Sequence, residues 1–484
     1  MTDPTPNSLA ELAARHGPNY RWKVLATIMI GSIASVMSST IVNVAVPDLI
    51  RQFAIGQERA QWVATAFMAA MTLSMLPTPW LLARFGYRHT YYGAVSLLML
   101  GGLLGGLSPT YEMVLSMRAV EGLAAGVLQV VPSIVVLRAF EPGIQGRAMG
   151  IFGFGVVLAP AVGPSIGGLL VEHFGWRSIF FVVLPFGAIA LLLARQLLPV
   201  AAPGGAKPNT DTPRLDWPGV WLAAIGVLVL LNGLVHLHDP SPVTAIVLLA
   251  IAVAILGAFA VRELRVSGPL LDLRLVRYRT FRMGSVVAFM YGMGLFGSTY
   301  LVPIFMQTAL HFPPSQAGAA LLPAGLVLAA AIPLGGHLAD RIPPHLLVAS
   351  GLVLLTASFA LMATVGADTA LWVLMTWAVV GRIGLGLVLP SLSLGAMRGL
   401  PPEEIAQGAS GISFARQLGG AIGISVVGVV LEWRLRAQGD AGGASLIGFA
   451  QTFWMVAGLC LLATLAALRM RPRRVQAGGT SSQG

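Results

Sequence analysis

Residues Met113 to Leu137 read MVLSMRAVEGLAAGVLQVVPSIVVL, and the only charged side chains in these twenty-five positions are Arg118 and Glu121. A helix of that length rises about 37 Å, enough to cross a hydrocarbon core of about 30 Å. Ionisable groups inside such a span are costly unless they meet a partner or a wet cavity, so they mark a candidate functional site. Lying three residues apart, they share a helical face. Two readings stay open: Glu121 carries a proton, or it is a permanent counter-ion for Arg118.

The same character extends along the chain. Of 484 residues, 56% are hydrophobic and 10% charged, against roughly 25% charged in an average soluble domain; the mean hydropathy is +0.80. This is the composition of an integral membrane protein. The 57 Gly and 31 Pro, without alternating ten-residue segments, favour helices over a barrel. Apolar runs fall near 22–47, 60–83, 90–107, 112–137, 147–171, 177–198, 217–237, 242–261, 283–308, 315–338, 345–366, 370–397, 405–431 and 446–468. The expected fold class is therefore an all-α membrane protein of fourteen transmembrane helices. On this assignment Glu121 is the only carboxylate well inside a span.

An even number of spans puts both termini on one side. Of the 30 Lys and Arg, 22 fall on that side, five on the other and three (Arg118, Arg382 and Arg416) within spans. The positive-inside rule makes the terminal side cytoplasmic. The net charge of +11 is then explained without nucleic acid. No signal peptide is apparent, and the lone Cys460 excludes an intramolecular disulfide. His236 and His238, with Asp239, are two apart and do not share a helical face, so no metal site is expected. No Walker-type phosphate loop or other cofactor motif appears.

A Pro- and Gly-rich linker from Pro199 to Pro218 and the arginine-rich segment Arg262 to Arg282 divide the chain. The expected organisation is an N-terminal six-helix bundle (1–198), then the linker, two inserted helices and a basic loop (199–282), then a C-terminal six-helix bundle and tail (283–484). Trp80 to Gly86 is echoed by His337 to Pro343. Repeated halves with a site between them describe secondary transporters.

Several motifs together resemble the major facilitator superfamily, in particular its fourteen-span drug:proton antiporters of the EmrB/QacA type. They are Ser39-Thr40-Ile41-Val42-Asn43-Val44-Ala45-Val46-Pro47, Gln61-Trp62-Val63, Arg118-Ala-Val-Glu121-Gly122, the run from Ala159 to Gly168, Trp176-Arg177-Ser-Ile-Phe180, Gln316-Ala-Gly318 with Leu322-Pro323, and Arg416-Gln417-Leu-Gly419-Gly420. The resemblance implies the major facilitator fold and proton-coupled export of small amphipathic compounds, without enzymatic activity. It implies residence in membrane lipid, in the bacterial inner membrane. The paired Ala-Pro and Gly-Pro of the fifth span look most like the Gram-negative branch, which works with a periplasmic adaptor and an outer-membrane channel. A dedicated exporter of a lipid, fatty acid or siderophore is the alternative, and a transport-inactive sensor or assembly partner is the alternative from another class.

Residue roles follow from the resemblance. Pro160, Gly163, Pro164, Gly167 and Gly168 match the antiporter signature, and equally allow plain helix packing. Arg84, Gly86 and Arg88, with Asp340 and Arg341 in the second copy, match a gating latch, although Pro79 and Ala83 replace its first-half Gly and Asp. Arg84 and Arg88 equally serve as topology determinants. Ser38 stands where the family usually has an Asp, and Glu121 where it usually has a Gln, which leaves Glu121 with Arg118 for coupling. For substrate, Phe289, Met293, Phe296 and Tyr300 form one helical stripe with Gln307 beyond. Thr40, Asn43 and Gln129 are polar candidates. Such a stripe in a membrane helix is more often lipid-facing or core. With Cys460 replaced by Ser, a cysteine introduced at Ser482 should react with a membrane-impermeant maleimide only after intact cells are opened; labelling of intact cells contradicts the orientation.

Overall fold

The computed structural model describes residues 9–200, 214–238, 243–366, 369–438 and 444–471. Lys207, Asp239, Arg473 and Arg474 lie outside them, as does the side chain of Pro164. Among the described residues there is no strand. The helices are α1 (Leu9–His16), α2 (Tyr20–Phe53), α3 (Gln57–Ser74), α4 (Thr78–Gly106), α5 (Tyr111–Ala139), α6 (Gln145–Phe174), α7 (Ser178–Phe181), α8 (Val183–Leu197), α9 (Trp217–Val235), α10 (Val243–Arg265), α11 (Arg279–Ile304), α12 (Pro314–Ala339), α13 (Pro344–Met362), α14 (Leu371–Met397), α15 (Ile405–Gln438) and α16 (Ala444–Leu468).

By length and apolarity, twelve of these helical spans are able to cross a membrane, or thirteen if Arg59–Ser74 and Thr78–Gly106, bent by 81°, count as one more. The sequence expectation of fourteen differs only there, where its second and third spans fall on the bent pair. α3 stops at Ser74 ahead of Pro77 and Pro79, neither of which can donate a backbone hydrogen bond. Inside α4, Gly86 has φ 78° and ψ 173°, a region essentially restricted to glycine, so the helix is interrupted between Phe85 and Tyr87.

Large apolar side chains face outward all around. Leu192, Trp221, Val253, Leu326 and Trp372 are each more than three-fifths exposed, the surface a lipid-embedded protein presents.

α2 packs on α5, α6 and α8, and α5 packs on α3 and α4. α11 packs on α14, α15 and α16, and α14 on α12 and α13. α9 and α10 pack on each other, with α9 reaching α3 and α15.

The two groups meet chiefly through α6 against α12 and through α15 against α3, α4 and α5. Their closest contacts lie toward the side carrying Arg21, Arg138 and Arg341, called the basic side below. A Cβ on Gly336 of α12 would sit 2.6 Å from the Gly150 Cα of α6, and one on Gly153 2.7 Å from Ile332. Beyond Gly153 the neighbour changes: Gly155 faces Met29 of α2, Gly163 faces Thr40 and Gly167 faces Ile41. α6 thus joins the other group on the basic side and its own group on the far side.

Replacing Gly86 with Ala should cost about 1–3 kcal/mol of strain and lower the thermal midpoint of the purified protein in detergent. An unchanged midpoint would mean that the chain does not turn at Gly86.

Candidate functional site

α5 begins with an N-cap, Thr110, whose side chain accepts a hydrogen bond from the Met113 amide, and runs to Ala139. Its eighth and eleventh residues are Arg118 and Glu121, both side chains only 1% exposed, with Arg118 Nη1 2.6 Å from Glu121 Oε2. The same Nη1 donates to Ser38 Oγ of α2 at 2.8 Å, and Nε donates to the Val63 carbonyl of α3 at 3.3 Å. The guanidinium lies 4.3 Å from the centre of the Phe67 ring. One charged side chain therefore ties three helices together.

Glycine makes room for this pair. A Cβ at Gly101 of α4 would approach Glu121 Cγ to 2.7 Å, and Gly122 lets α5 settle against the Phe67 carbonyl of α3. The Ser38 hydroxyl and the Glu121 carboxylate thus accept from the same guanidinium nitrogen. Arg118 Nη2 is buried without a hydrogen-bond partner. Removing one member of a buried ion pair costs about 3–5 kcal/mol because the other is left uncompensated. An unused donor beside the pair gives Arg118 capacity to take a different acceptor when Glu121 is protonated.

Asp340, just after α12, accepts from the backbone amides of Gly146 at 2.6 Å and Arg147 at 2.9 Å. These amides open α6, whose own N-cap residue Ile144 supplies no side-chain hydrogen bond. A carboxylate from the other group of helices thus caps α6, where unpaired N–H groups and the helix dipole favour an anion. Arg138 adds a bond to the Pro402 carbonyl at 2.8 Å, and Ser410 Oγ donates to the Met75 carbonyl at 2.6 Å. Of the other latch residues, Arg88 donates to the Leu198 carbonyl at 2.6 Å, within its own group. Gly86 makes the turn already described, and Arg341 is exposed beside Asp340.

The substrate candidates do not converge. Phe289 and Met293 lie against Gly419 and Gly423 of α15, and Phe296 lies against Gly420, so three members of the stripe are used in packing α11 on α15. Tyr300 is 38% exposed, and Gln307 is exposed in a π-helical turn after α11. Thr40 bonds back to the Val36 and Met37 carbonyls of its own helix. Asn43 is exposed, and Gln129 is half-buried eleven residues beyond Arg118, about 16 Å along α5. In the antiporter run, Gly163 and Gly167 face α2, Gly168 has open space beside it, and Pro160 is half-buried.

Glu121 is not the only carboxylate buried in a spanning helix. α10 continues to Arg265, past the expected end of its span, and Glu263 is fully buried. Its Oε2 accepts from the Leu271 amide at 3.0 Å, and Asp216 beside it forms a bidentate pair with Arg262. Asp216 and Glu263 are 47 residues apart, so no local spacing reveals the cluster. In sequence Ser38 stands for a lost acid, and only the contact with Arg118 shows what that position does.

A family model described as Major Facilitator Superfamily matches residues 28–424. The multidrug resistance protein B homolog of Mycobacterium tuberculosis is 31% identical over 424 residues, covering 85% of this chain and 77% of that protein. The lincomycin resistance protein LmrB of Listeria monocytogenes is 28% identical, covering 84% and 86%. The crystal structure of the human organic anion transporter MFSD10 superposes with a TM-score of 0.68 over 93% of this chain and all of that one. At 18% identity that likeness concerns the fold alone. These proteins are transporters rather than enzymes.

With Cys460 replaced by Ser and a cysteine placed at the buried Ile332, Asp340→Ala should increase maleimide labelling severalfold by releasing the α6 cap. Unaltered labelling would show that the latch does not hold this seam.

Proposed function

The chain belongs to the major facilitator superfamily, and from that premise we propose that it exports amphipathic toxic compounds in exchange for protons, by alternating access. Counting α3 with the first turns of α4 as one span, and Tyr87 to Gly106 as the next, gives fourteen transmembrane helices of the EmrB/QacA arrangement. These form two six-helix bundles with α9 and α10 inserted. The basic side is cytoplasmic and the membrane is the bacterial inner membrane. Multidrug and lincomycin resistance proteins among the relatives support the substrate class, and a periplasmic adaptor belongs to the same proposal.

The observation that carries this reading is the buried Arg118–Glu121 pair, hydrogen-bonded to α2 and α3. In the conformation described, the seam of Asp340, Gly146, Gly150 and Gly336 closes the cytoplasmic side. A proton arriving from the far side neutralises Glu121 and dissolves the ion pair. Arg118 then redistributes its donors among Ser38, the Val63 carbonyl and a new acceptor for Nη2, which changes how α5 is held to α2 and α3. Reclosure on the far side then carries the proton inward, and its release toward the cytoplasm restores the pair.

Replacing Glu121 with Gln should abolish proton-gradient-driven flux in proteoliposomes while substrate binding persists. The same change should destabilise the protein by about 3–5 kcal/mol, since Arg118 loses its counter-charge. If Glu121→Gln proteoliposomes still accumulate substrate in response to the gradient, the proton is carried elsewhere.

A further inference from the structure

We propose that Arg382 and Arg416 form a subsite for the anionic head group of the transported compound, so that the substrates are amphipathic organic anions. This rests on the export reading and adds the charge of what is exported.

Both arginines sit at mid-depth. Arg382 is the twelfth residue of the 27-residue α14, and Arg416 the twelfth of the 34-residue α15. The two helices run in opposite senses, so from the end where α14 leads into α15 Arg382 lies about 22 Å and Arg416 about 16 Å along its helix, within roughly one turn of each other in depth. Tyr291, the thirteenth residue of α11, is at the same level. Its phenol is buried and donates to the Leu385 carbonyl at 3.3 Å, within one turn of Arg382, while the next residue, Gly292, packs against the Arg416 carbonyl. The α14 and α15 positions that carry the two arginines thus flank one point of α11.

No acid among the described residues neutralises them. Among the described residues, α11 to α16 contain one carboxylate, Glu432 near the far end of α15, and it pairs with Arg436. Neither Arg382 nor Arg416 makes a hydrogen bond or ion pair with a described residue. Both are only half-buried, and none of their nitrogens is among the buried polar atoms without a partner, whereas Arg118 Nη2 is. Their donors thus reach the molecular surface. At mid-membrane depth that surface must be wet, since a bare guanidinium against acyl chains is prohibitive. Arg382 also lines a cavity with Ser298, Ser358 and Phe359.

In the first bundle Glu121 cancels the charge of Arg118, so the interior carries a surplus of positive charge contributed by the second. A carboxylate, sulfonate or phosphonate matches guanidinium donors in charge and fork geometry. An apolar body attached to it finds aromatic and aliphatic walls beside the same residues. A cationic compound meets repulsion there, and Ser38 supplies no carboxylate to offset it.

The test uses the full chain in lipid nanodiscs without a proton gradient, with dansylglycine as the anionic probe and dansylcadaverine as its cationic counterpart. Dansylglycine should bind saturably and more tightly than dansylcadaverine. Arg382→Gln and Arg416→Gln should each weaken it about tenfold or more, the scale of a lost charge-assisted hydrogen bond, and the Lys variants should bind better than the Gln variants. No saturable dansylglycine binding, preference for dansylcadaverine, unchanged binding in both Gln variants, or equal losses in Lys and Gln variants would each overturn the proposal. Binding that is intact without gradient-driven movement of dansylglycine would instead count against the export reading alone.

Discussion

A charge placed in hydrocarbon has to be paired, hydrated or neutralised, and this molecule uses more than one of these solutions at separate places. Arg118 and Glu121 are paired within one helix and sealed by α2, α3 and α4. Arg382 and Arg416 have no acid partner among the described residues and keep contact with the surface. Glu263 is buried beside Asp216 and Arg262, and its Oε1 has no hydrogen-bond partner. In the proposed exchange one proton would change the first arrangement and an anionic ligand the second, which is why that exchange uses both kinds of site.

The junction between the helix groups is asymmetric in a way that follows from single residues. Asp340 caps α6 from across the junction through two backbone amides. In the first repeat the corresponding acid is Ala83, so the seam on α15 is held differently. There Ser410 bonds the Met75 carbonyl, left near the end of α3 before the prolines, and Arg138 bonds the Pro402 carbonyl. A carboxylate on a helix N-terminus is charge-assisted, while a hydroxyl on a carbonyl is a neutral bond of roughly half the strength. The two seams therefore differ in how firmly they close.

Much of the fold was legible in the chain because hydropathy and charge asymmetry are long-range averages. Twelve of the fourteen expected spans coincide with single helical spans. The other two fall on the bent pair α3 and α4, where composition divides the chain around Arg84 to Arg88 but the backbone is helical on both sides of one glycine, which composition does not register. The Arg118–Glu121 contact was legible because i,i+3 spacing is local geometry. The aromatic stripe was legible as a face but not as a role: Gly419, Gly420 and Gly423 lie more than a hundred residues away in sequence, and they turn that face into a helix contact. Ser38, Asp216 and Glu263 were illegible for the same reason, since each acquires its meaning from a partner on another helix.

Ser38 shows what the charge arrangement implies for coupling. Where the family resemblance expects an acid on α2, the structure has a hydroxyl 2.8 Å from Arg118 Nη1, and the acid is instead Glu121 on α5 itself. An acid on α2 would make the ion pair a direct clamp between two helices, released on protonation. Here the pair lies within one helix, so its loss alone unfastens nothing between helices. Any movement has to pass through the arginine, whose Nη1 and Nε already reach α2 and α3 and whose Nη2 has no hydrogen-bond partner. In the proposed coupling a proton would therefore act on the helix junction at second hand, by changing the orientation of Arg118 rather than by cutting a bond between helices.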